Sequence, residues 1–211
     1  SVYADDEGML WVLDPANPRF KGVVEGGPKL VKLDLDTNKV VKNIPFDKQL
    51  APENSYLNDV RVDTINGTAY ISESGTGAII VVDLRTEQSR RVLAGHPSTK
   101  SEGVGVTIAG TPWRRADGSK PDVHCDGIAL HPSRDYVYYQ ALTGRHLYRI
   151  AGRLLRDESL SAKQLGEMVE MVAETFPVDG IMFDRKGRLY LSALEDNAIK
   201  RLTLKGEIET V

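Results

Sequence analysis

The sequence contains a single cysteine, Cys125, so it can form neither an internal disulfide bond nor a cluster of thiolate ligands around a metal ion. No apolar run approaches the roughly 20 residues that a membrane-spanning helix needs, so we predict no membrane partner. The 27 Lys and Arg residues are outnumbered by 30 Asp and Glu residues, and the formal net charge is −3. Without a basic excess, a nucleic acid is not an expected partner either.

The sequence also lacks the local motifs of several enzyme classes. It has no Gly-x-Ser-x-Gly nucleophile motif, no glycine-rich phosphate loop and no His-Glu-x-x-His zinc motif. Serine hydrolase, nucleotide-dependent and zinc protease activities therefore have no support in the sequence. Cys125 is predicted to be a small packed residue, because nothing in the sequence indicates a nearby base that would activate it as a nucleophile.

Three segments of the chain follow one pattern. Each opens with Asn or Asp, continues as an alternating apolar strand, turns, and returns through a strand that contains a tyrosine. The opening residues are Asn58, Asp126 and Asp179, and each precedes its tyrosine by the same distance to within one residue. Strand-rich repeats spaced by roughly 50 to 70 residues are too long for helical solenoids and are typical of four-stranded propeller blades with insertions.

We therefore predict an all-β fold in which four-stranded antiparallel blades surround a central channel. The predicted units and insertions are, in chain order, 1–46, 56–93, the insertion 94–123, 124–157, the insertion 158–176, and 177–211. One helix is expected in the second insertion, where Ser161-Ala162-Lys163-Gln164 has the form of a capping box and apolar residues follow at helical spacing up to Thr175. The units are expected to be part of a longer chain, because a closed propeller joins its first and last blades.

The opening residues of the repeats are the candidate functional site. The first strand of each blade lines the central channel, so the side chains of Asn58, Asp126 and Asp179 are predicted to point toward one position. Two carboxylates and an amide that converge there would be costly to bury unless a cation lay among them, and such oxygen ligands suit Ca²⁺ or another hard divalent cation. The ion would polarise an ester or lactone carbonyl, and Asp179 is our candidate catalytic base.

Other interpretations of these residues stay open. Asn-Asp and Asp-Gly pairs also begin strands as ordinary turn formers, and Gly127 and Gly180 would then supply positive φ angles. His124 and Trp113 are further candidates for ligand binding, although a histidine in a loop is more often a solvated side chain. An aromatic compound or an amine would bind in the channel without turnover if the carboxylates paired with the amine and Trp113 stacked on it. A purely structural propeller is the third possibility.

A set of short segments, spread in order over most of the chain, carries a resemblance to a known family. The segments are Leu10-Trp11-Val12-Leu13-Asp14, Pro28-Lys29-Leu30-Val31, Asp34-Leu35, Ile44-Pro45, Leu57-Asn58-Asp59-Val60-Arg61-Val62-Asp63, Ala69-Tyr70-Ile71-Ser72, Gly127-Ile128-Ala129-Leu130-His131-Pro132 and Tyr138-Tyr139-Gln140-Ala141-Leu142. They resemble the Yellow / major royal jelly protein family, which also has bacterial members. The resemblance implies a six-bladed β-propeller, of which about four blades are present here, and it favours a secreted or periplasmic location. The family includes pigment-pathway proteins, nutritional glycoproteins and binders of biogenic amines, and this chain departs from its pattern at Glu73 and at Gln140-Ala141.

A more distant resemblance is carried by Asn58-Asp59, Asp126-Gly127 and Asp179-Gly180. These pairs are similar to those of the senescence-marker protein / gluconolactonase propellers, in which they hold a divalent metal, usually calcium. The resemblance implies metal ligands at Asn58, Asp126 and Asp179. Taken together, the sequence favours a metal-dependent hydrolase of lactones or esters, with a non-catalytic propeller that binds an amine or aromatic ligand as the alternative.

Overall fold

The computed structural model describes residues 1–203 and 206–211, which form four four-stranded antiparallel sheets, one two-stranded hairpin, two short α-helices and two single-turn 3-10 helices (Pro18–Phe20 and Pro97–Thr99). The strands of the first sheet are β1 (Val2–Ala4), β2 (Met9–Asp14), β3 (Lys29–Asp34) and β4 (Lys39–Pro45). Those of the second sheet are β5 (Leu57–Asp63), β6 (Thr68–Glu73), β7 (Ala78–Asp83) and β8 (Ser89–Val92). The predicted all-β class is confirmed.

The hairpin and the two remaining sheets follow along the chain. The hairpin consists of β9 (Thr107–Ile108) and β10 (Thr111–Pro112). The third sheet contains β11 (Cys125–Leu130), β12 (Tyr136–Ala141), β13 (His146–Ala151) and β14 (Glu170–Glu174), with the helices α1 (Gly152–Arg156) and α2 (Ala162–Glu167) between its last two strands. The fourth contains β15 (Val178–Phe183), β16 (Leu189–Ala193), β17 (Ala198–Leu202) and β18 (Ile208–Thr210). No helix of the described residues is long and apolar enough to cross a membrane.

The sheets are arranged as blades around a common axis. The first strand of each sheet packs against the first strand of the next, since β5 contacts both β1 and β11, and β11 contacts β15. A separate apolar core fills the space between each pair of neighbouring sheets. Within one strand, Ala69 and Ile71 face the core shared with the first sheet, whereas Tyr70 faces the core shared with the third. The alternating side-chain direction of a strand thus lets one sheet contribute to two cores.

The second insertion differs from its prediction. The capping box at Ser161 is present, because the Gln164 backbone N–H donates to the Ser161 hydroxyl and the Ser161 N–H donates to the Gln164 side chain. The helix ends at Glu167, however, and β14 pairs with β13 as the outer strand of the third sheet. The prediction of a helix up to Thr175 was therefore wrong, and residues 170–174 of the predicted insertion 158–176 belong to the third sheet. Pairing with β13 satisfies backbone groups that a longer helix would have left open at the sheet edge.

Candidate functional site

The inner strands of the second, third and fourth sheets share an irregularity near their first residues. The pairing of β5, β11 and β15 with the following strand shifts register at Asn58, Asp126 and Asp179. A β-bulge of this kind bends its strand and changes the direction of a side chain, and bulges are common beside functional sites. Because of these three equivalent bulges, the side chains of Asn58, Asp126 and Asp179 do not follow the regular alternation of side-chain direction along their strands.

Serine side chains complete two of these bulges. The Asp59 backbone N–H donates to the Ser72 hydroxyl at 3.1 Å, and the Gly180 N–H donates to the Ser192 hydroxyl at 2.8 Å. Ser72 and Ser192 occupy matching positions on the second strands of their sheets, two residues after the repeated tyrosine. Each hydroxyl pairs a backbone N–H that the register shift removes from the ladder, so the repeated serine is explained by the bulge.

The structure brings the three opening residues of the repeats to one cavity. Asn58, Asp126 and Asp179 line a cavity of about 720 Å³, and Trp113 lines it as well. The Asn58 side-chain amide donates a hydrogen bond directly to Oδ1 of Asp126, which lies on the neighbouring sheet. Asp126 is only 6% exposed, whereas Asn58 is half-buried and Asp179 is exposed. One acid of the pair is thus inside the protein and the other is open to the cavity and to solvent.

The environment of Asp126 favours its neutral form. Burial raises the pKa of Asp126 to about 8, and the negative charges of Asp179 and Asp59 add to the rise, whereas the hydrogen bond from Asn58 opposes it. Arg61 is engaged by other groups, because it pairs with Asp59 at 3.2 Å and donates to the Ile181 carbonyl at 3.1 Å. Within residues 1–203 and 206–211, neither Asp126 nor Asp179 forms an ion pair with a Lys or Arg. Although Arg115 also lines the cavity, the two acids are therefore left without a cationic partner among these residues.

The other walls of the cavity are aromatic and polar. Trp113 follows the β9–β10 hairpin, Tyr56 precedes β5, and Phe20 comes from the long connection between β2 and β3. The rings of Phe20 and Tyr56 contact each other, with centroids 4.6 Å apart. Arg115 and Asp122 lie on the wall contributed by the first predicted insertion. The cavity combines an acidic end with flat apolar surfaces that suit a ring.

A residue that the sequence argument did not assign to the site holds part of this wall in place. Glu73 is fully buried, and its carboxylate accepts hydrogen bonds from the Tyr56 N–H at 2.9 Å, the Gly75 N–H at 2.7 Å and the Thr76 hydroxyl at 2.6 Å. Burial acts to raise the pKa of Glu73, but the hydrogen bonds from Thr76 and Arg91 outweigh it and hold the pKa below its usual range. Glu73 is a positioning residue, and its only sequence signal was the departure from the family pattern.

The structure places His124 outside the cavity lining. His124 is buried, its Nδ1 accepts a hydrogen bond from the Ser101 N–H at 2.9 Å, and its Nε2 lies 2.8 Å from Nζ of Lys100. Both ring nitrogens thus fix the start of the connection between the second and third sheets. Cys125, next in the chain, is completely buried and burial raises the pKa of its thiol, as expected for a packed residue.

Gly127 and Gly180, which follow Asp126 and Asp179, do not supply the positive φ angles of a turn. Neither Gly127 nor Gly180 has a positive φ angle, so the interpretation of these pairs as left-handed turn formers is wrong. A Cβ atom on Gly127 would lie 3.4 Å from the Asp179 carbonyl oxygen and 3.3 Å from Cγ1 of Ile181. Gly127 therefore permits the close approach of β11 and β15, which brings Asp126 next to Asp179.

The three predicted metal ligands, Asn58, Asp126 and Asp179, make up only part of a calcium coordination shell. Over the described residues, no group of three or more His, Cys, Asp and Glu side chains is arranged to hold a metal ion. Asn58, Asp126 and Asp179 supply three side chains, whereas calcium takes about six to eight oxygen ligands. Asn58 also presents its amide nitrogen, not its oxygen, to Asp126. The side chains present do not by themselves make a calcium site.

The comparisons with known proteins decide the family. The sequence profile described as "Major royal jelly protein" matches residues 1–210. The chain belongs to the major royal jelly protein family. Major royal jelly protein 6 of Apis mellifera is 26% identical over 161 residues, which is 71% of this chain and 34% of that protein. This member of the major royal jelly protein family thus spans about a third of the length of the curated relative it matches.

Solved structures show the same kind of fold at low sequence identity. The gluconolactonase XC5397 of Xanthomonas campestris has a TM-score of 0.60 and 13% identity, and the match covers 100% of this chain and 60% of that one. The hydrazine synthase of Kuenenia stuttgartiensis has a TM-score of 0.60 and 11% identity, with coverages of 97% and 58%. At these identities the likeness concerns the fold alone. It supports a propeller-type arrangement of this family member's sheets.

Proposed function

We propose that this protein binds a small organic cation, an amine attached to an aromatic ring, in the cavity at the start of its inner strands. The observation that carries the proposal is the buried carboxyl group of Asp126 beside Asp179 in this cavity, where neither acid is ion-paired with a Lys or Arg of the described residues. Membership of the major royal jelly protein family, which the sequence analysis associated with amine binders, is compatible with it.

An ammonium group beside Asp126 and Asp179 would offset the electrostatic cost of ionising the buried Asp126 carboxyl group. Asp126 loses its proton less readily than an ordinary carboxyl because it is buried and faces Asp179 and Asp59. A positive charge beside Asp126 and Asp179 favours the ionised form of both, so amine binding is coupled to release of the Asp126 proton. Below the pKa of about 8, the affinity for the amine is expected to rise by up to about tenfold per pH unit.

The aromatic walls select the body of the ligand. Trp113 and the contacting pair Phe20 and Tyr56 offer flat faces to a ring, and a cation over such a face gains about 0.5–1 kcal/mol at an exposed site. A ligand of this class would therefore lose affinity if either its charge or its ring were removed.

The test is a titration of the protein with phenethylamine and with its uncharged analogue 2-phenylethanol. Trp113 lines the cavity, whereas the other tryptophan, Trp11, is 2% exposed and its indole N–H donates a hydrogen bond to Asp5. Quenching of tryptophan fluorescence by a ligand therefore reports on Trp113 and the cavity. We expect saturable quenching by the amine alone. The Asp179→Asn and Asp126→Asn variants should each weaken it by about tenfold or more, in line with the loss of a close charge partner.

The matched control is Asp36→Asn, which neutralises an exposed acid in the turn between β3 and β4. This variant should bind the amine as the unmodified protein does. Equal quenching by the alcohol and the amine, or undiminished amine binding by both cavity variants, would contradict the proposal.

A second candidate function, a calcium-dependent hydrolase of lactones or esters, is favoured by the equivalent bulges at Asn58, Asp126 and Asp179 and by the structural likeness to a gluconolactonase. These three residues would supply only part of the coordination shell of the ion, which would polarise a carbonyl group when bound. Asp179 is the candidate base, because its exposed carboxylate is open to a water molecule in the cavity.

Calcium and a chelator separate the two functions. The hydrolase requires that Ca²⁺ raise the melting temperature, that a panel of lactones be hydrolysed only with the ion, and that Asp179→Asn abolish turnover. A melting curve that is identical with calcium and with the chelator, together with the absence of lactone turnover, would leave the amine binder as the function of this cavity.

A further inference from the structure

A second cavity, of about 910 Å³, lies between the second and third sheets at the opposite end of the strands from the candidate site. Its walls include the turn between β5 and β6 and the end of the β7–β8 hairpin. Asn58 stands at the start of β5 and this turn at its end, so the two cavities open on opposite faces of the propeller-type fold. The charged residues of this opposite-face groove are Arg85, Arg90, Arg156, Asp83 and Glu158.

Hydrogen bonds to neighbouring protein groups hold two arginines of the opposite-face groove, Arg90 and Arg156, in place. One amino group of Arg90 donates to the backbone carbonyls of Leu155 and Asp157, the latter at 3.0 Å. Nη1 of Arg156 donates to the Tyr70 hydroxyl at 2.7 Å. The other N–H groups of both guanidinium groups make no hydrogen bond within the described part of the chain. Guanidinium groups fixed in this way lose little conformational freedom when they bind a partner.

Hydrogen-bond donors at this groove lack partners within the described residues, whereas the half-buried Asp83 carboxylate already accepts hydrogen bonds. The Asp83 carboxylate accepts hydrogen bonds from the Arg85 and Thr86 N–H groups of its own turn, and these bonds hold its pKa below the usual range. The hydroxyl of Ser89, which lines the groove, has no hydrogen-bond partner among the described residues. Because a buried polar group without a partner destabilises the folded protein, a ligand that accepts a hydrogen bond from Ser89 would stabilise this wall.

We propose that the opposite-face groove binds an oxyanion, a phosphate, sulfate or carboxylate group carried by a small polar molecule. Arg90 and Arg156 are the fixed donors, and Arg85, whose side chain is 79% exposed, is the donor most open to solvent. The planar fork of an arginine matches two oxygens of such a group, and charge-assisted bonds of this kind are stronger than neutral ones. Thr64, Asn66 and Gln88 add polar groups to the walls, which suits a hydrophilic ligand. This site is independent of the amine cavity.

Calorimetric titrations of the full chain with inorganic phosphate, sulfate and gluconate at low ionic strength test the proposal. We expect saturable binding of at least one anion at one site per chain, and the anion bound most tightly identifies the oxyanion class. Arg85→Gln and Arg90→Gln should each weaken binding by about fivefold or more, as expected for the loss of one charge-assisted hydrogen bond. Arg185→Gln, an exposed arginine on the turn between β15 and β16, is the control and should leave binding unchanged.

The two variants differ in structural risk. Arg90 supports α1, so its replacement is accompanied by a melting curve. The only ion-pair partner of Arg85 among the described residues is Asp83, at 3.7 Å, and the Arg85 side chain is 79% exposed, so its replacement is expected to leave the fold intact. Absence of saturable binding for all three anions would overturn the proposal. Binding that Arg85→Gln weakens no more than Arg185→Gln does would overturn it as well.

Discussion

Replacement of Asp126 by asparagine is expected to make the folded protein more stable at neutral and alkaline pH, although it removes a residue of the candidate site. The folded state retains a proton on Asp126 up to about pH 8, whereas an ordinary aspartate releases it near 3.8. Between these two values the unfolded state binds fewer protons than the folded state, so the free energy of unfolding falls as the pH rises. The contribution is complete below about pH 4 and is lost by the time the pH passes 8.

The size of the effect follows from that interval. Each pH unit is worth about 1.36 kcal/mol, so the whole interval corresponds to roughly 6 kcal/mol as an upper limit. Asparagine cannot ionise, and its side-chain oxygen still accepts the hydrogen bond that Asn58 donates. The stability gained by Asp126→Asn should therefore be small near pH 5 and should grow to several kcal/mol at pH 8.

Urea unfolding followed by circular dichroism, at pH values from about 5 to about 9, measures this difference directly. Other titratable groups, including His96 and His124, are common to both proteins, so their contributions cancel in the difference. Asp36→Asn serves as the exposed control and should run parallel to the unmodified protein. If the Asp126→Asn curve also ran parallel to it across this range, the protonated state of Asp126 would be refuted.

Three further predictions concern the supports of the site. Glu73→Gln should lower the free energy of unfolding by about 3–5 kcal/mol, measured by urea unfolding, because it leaves the partly buried Arg91 without its carboxylate partner inside the protein. Because the pKa of Glu73 is depressed in the folded state, its contribution to stability should also be lost when the pH falls through that depressed pKa. Gly75→Ala should lower both the melting temperature and the affinity for phenethylamine, because the added Cβ would lie 2.7 Å from the Tyr56 nitrogen, while Gly105→Ala, which meets only Lys120 at 3.8 Å, should do neither. Cys125 should react with a thiol reagent only at the rate of unfolding, and rapid labelling of the native protein, measured spectrophotometrically, would contradict its burial.

The inner strands and their shared opening residues were predictable from the sequence, because a repeated strand pattern fixes which residues are equivalent. Asn58, Asp126 and Asp179 were identified in this way, and the structure brings them to one cavity. The bulges that direct these side chains were not predicted, since a register shift depends on the strand pairing and not on one strand alone. The six-bladed closure stays a prediction.

Other features depended on contacts between distant segments. The apolar residues after Gly166 were compatible with a helix, and only the open edge of β13 decided in favour of a strand. Arg85 and Arg90 come from the second sheet and Arg156 from the helix after β13, and no local motif in the chain indicates that they meet. Glu73 acts through five hydrogen-bond donors on three loop and strand segments, an arrangement without a sequence signature.

Residues at equivalent positions of the repeats differ in burial and protonation, because the strands packed around each of them differ. β11 packs against inner strands on both sides, β5 and β15, and Asp126 is buried there. Asp179 has the same place in its own strand but is exposed, so two acids at equivalent positions have unlike environments. A pair of acids separated in this way provides a protonated group and an open carboxylate side by side, an arrangement that binding and acid-base sites both use. Stability and ligand binding therefore both depend on the protonation of Asp126. The folded state is most stable when Asp126 is protonated, whereas a cation that enters the cavity displaces this proton.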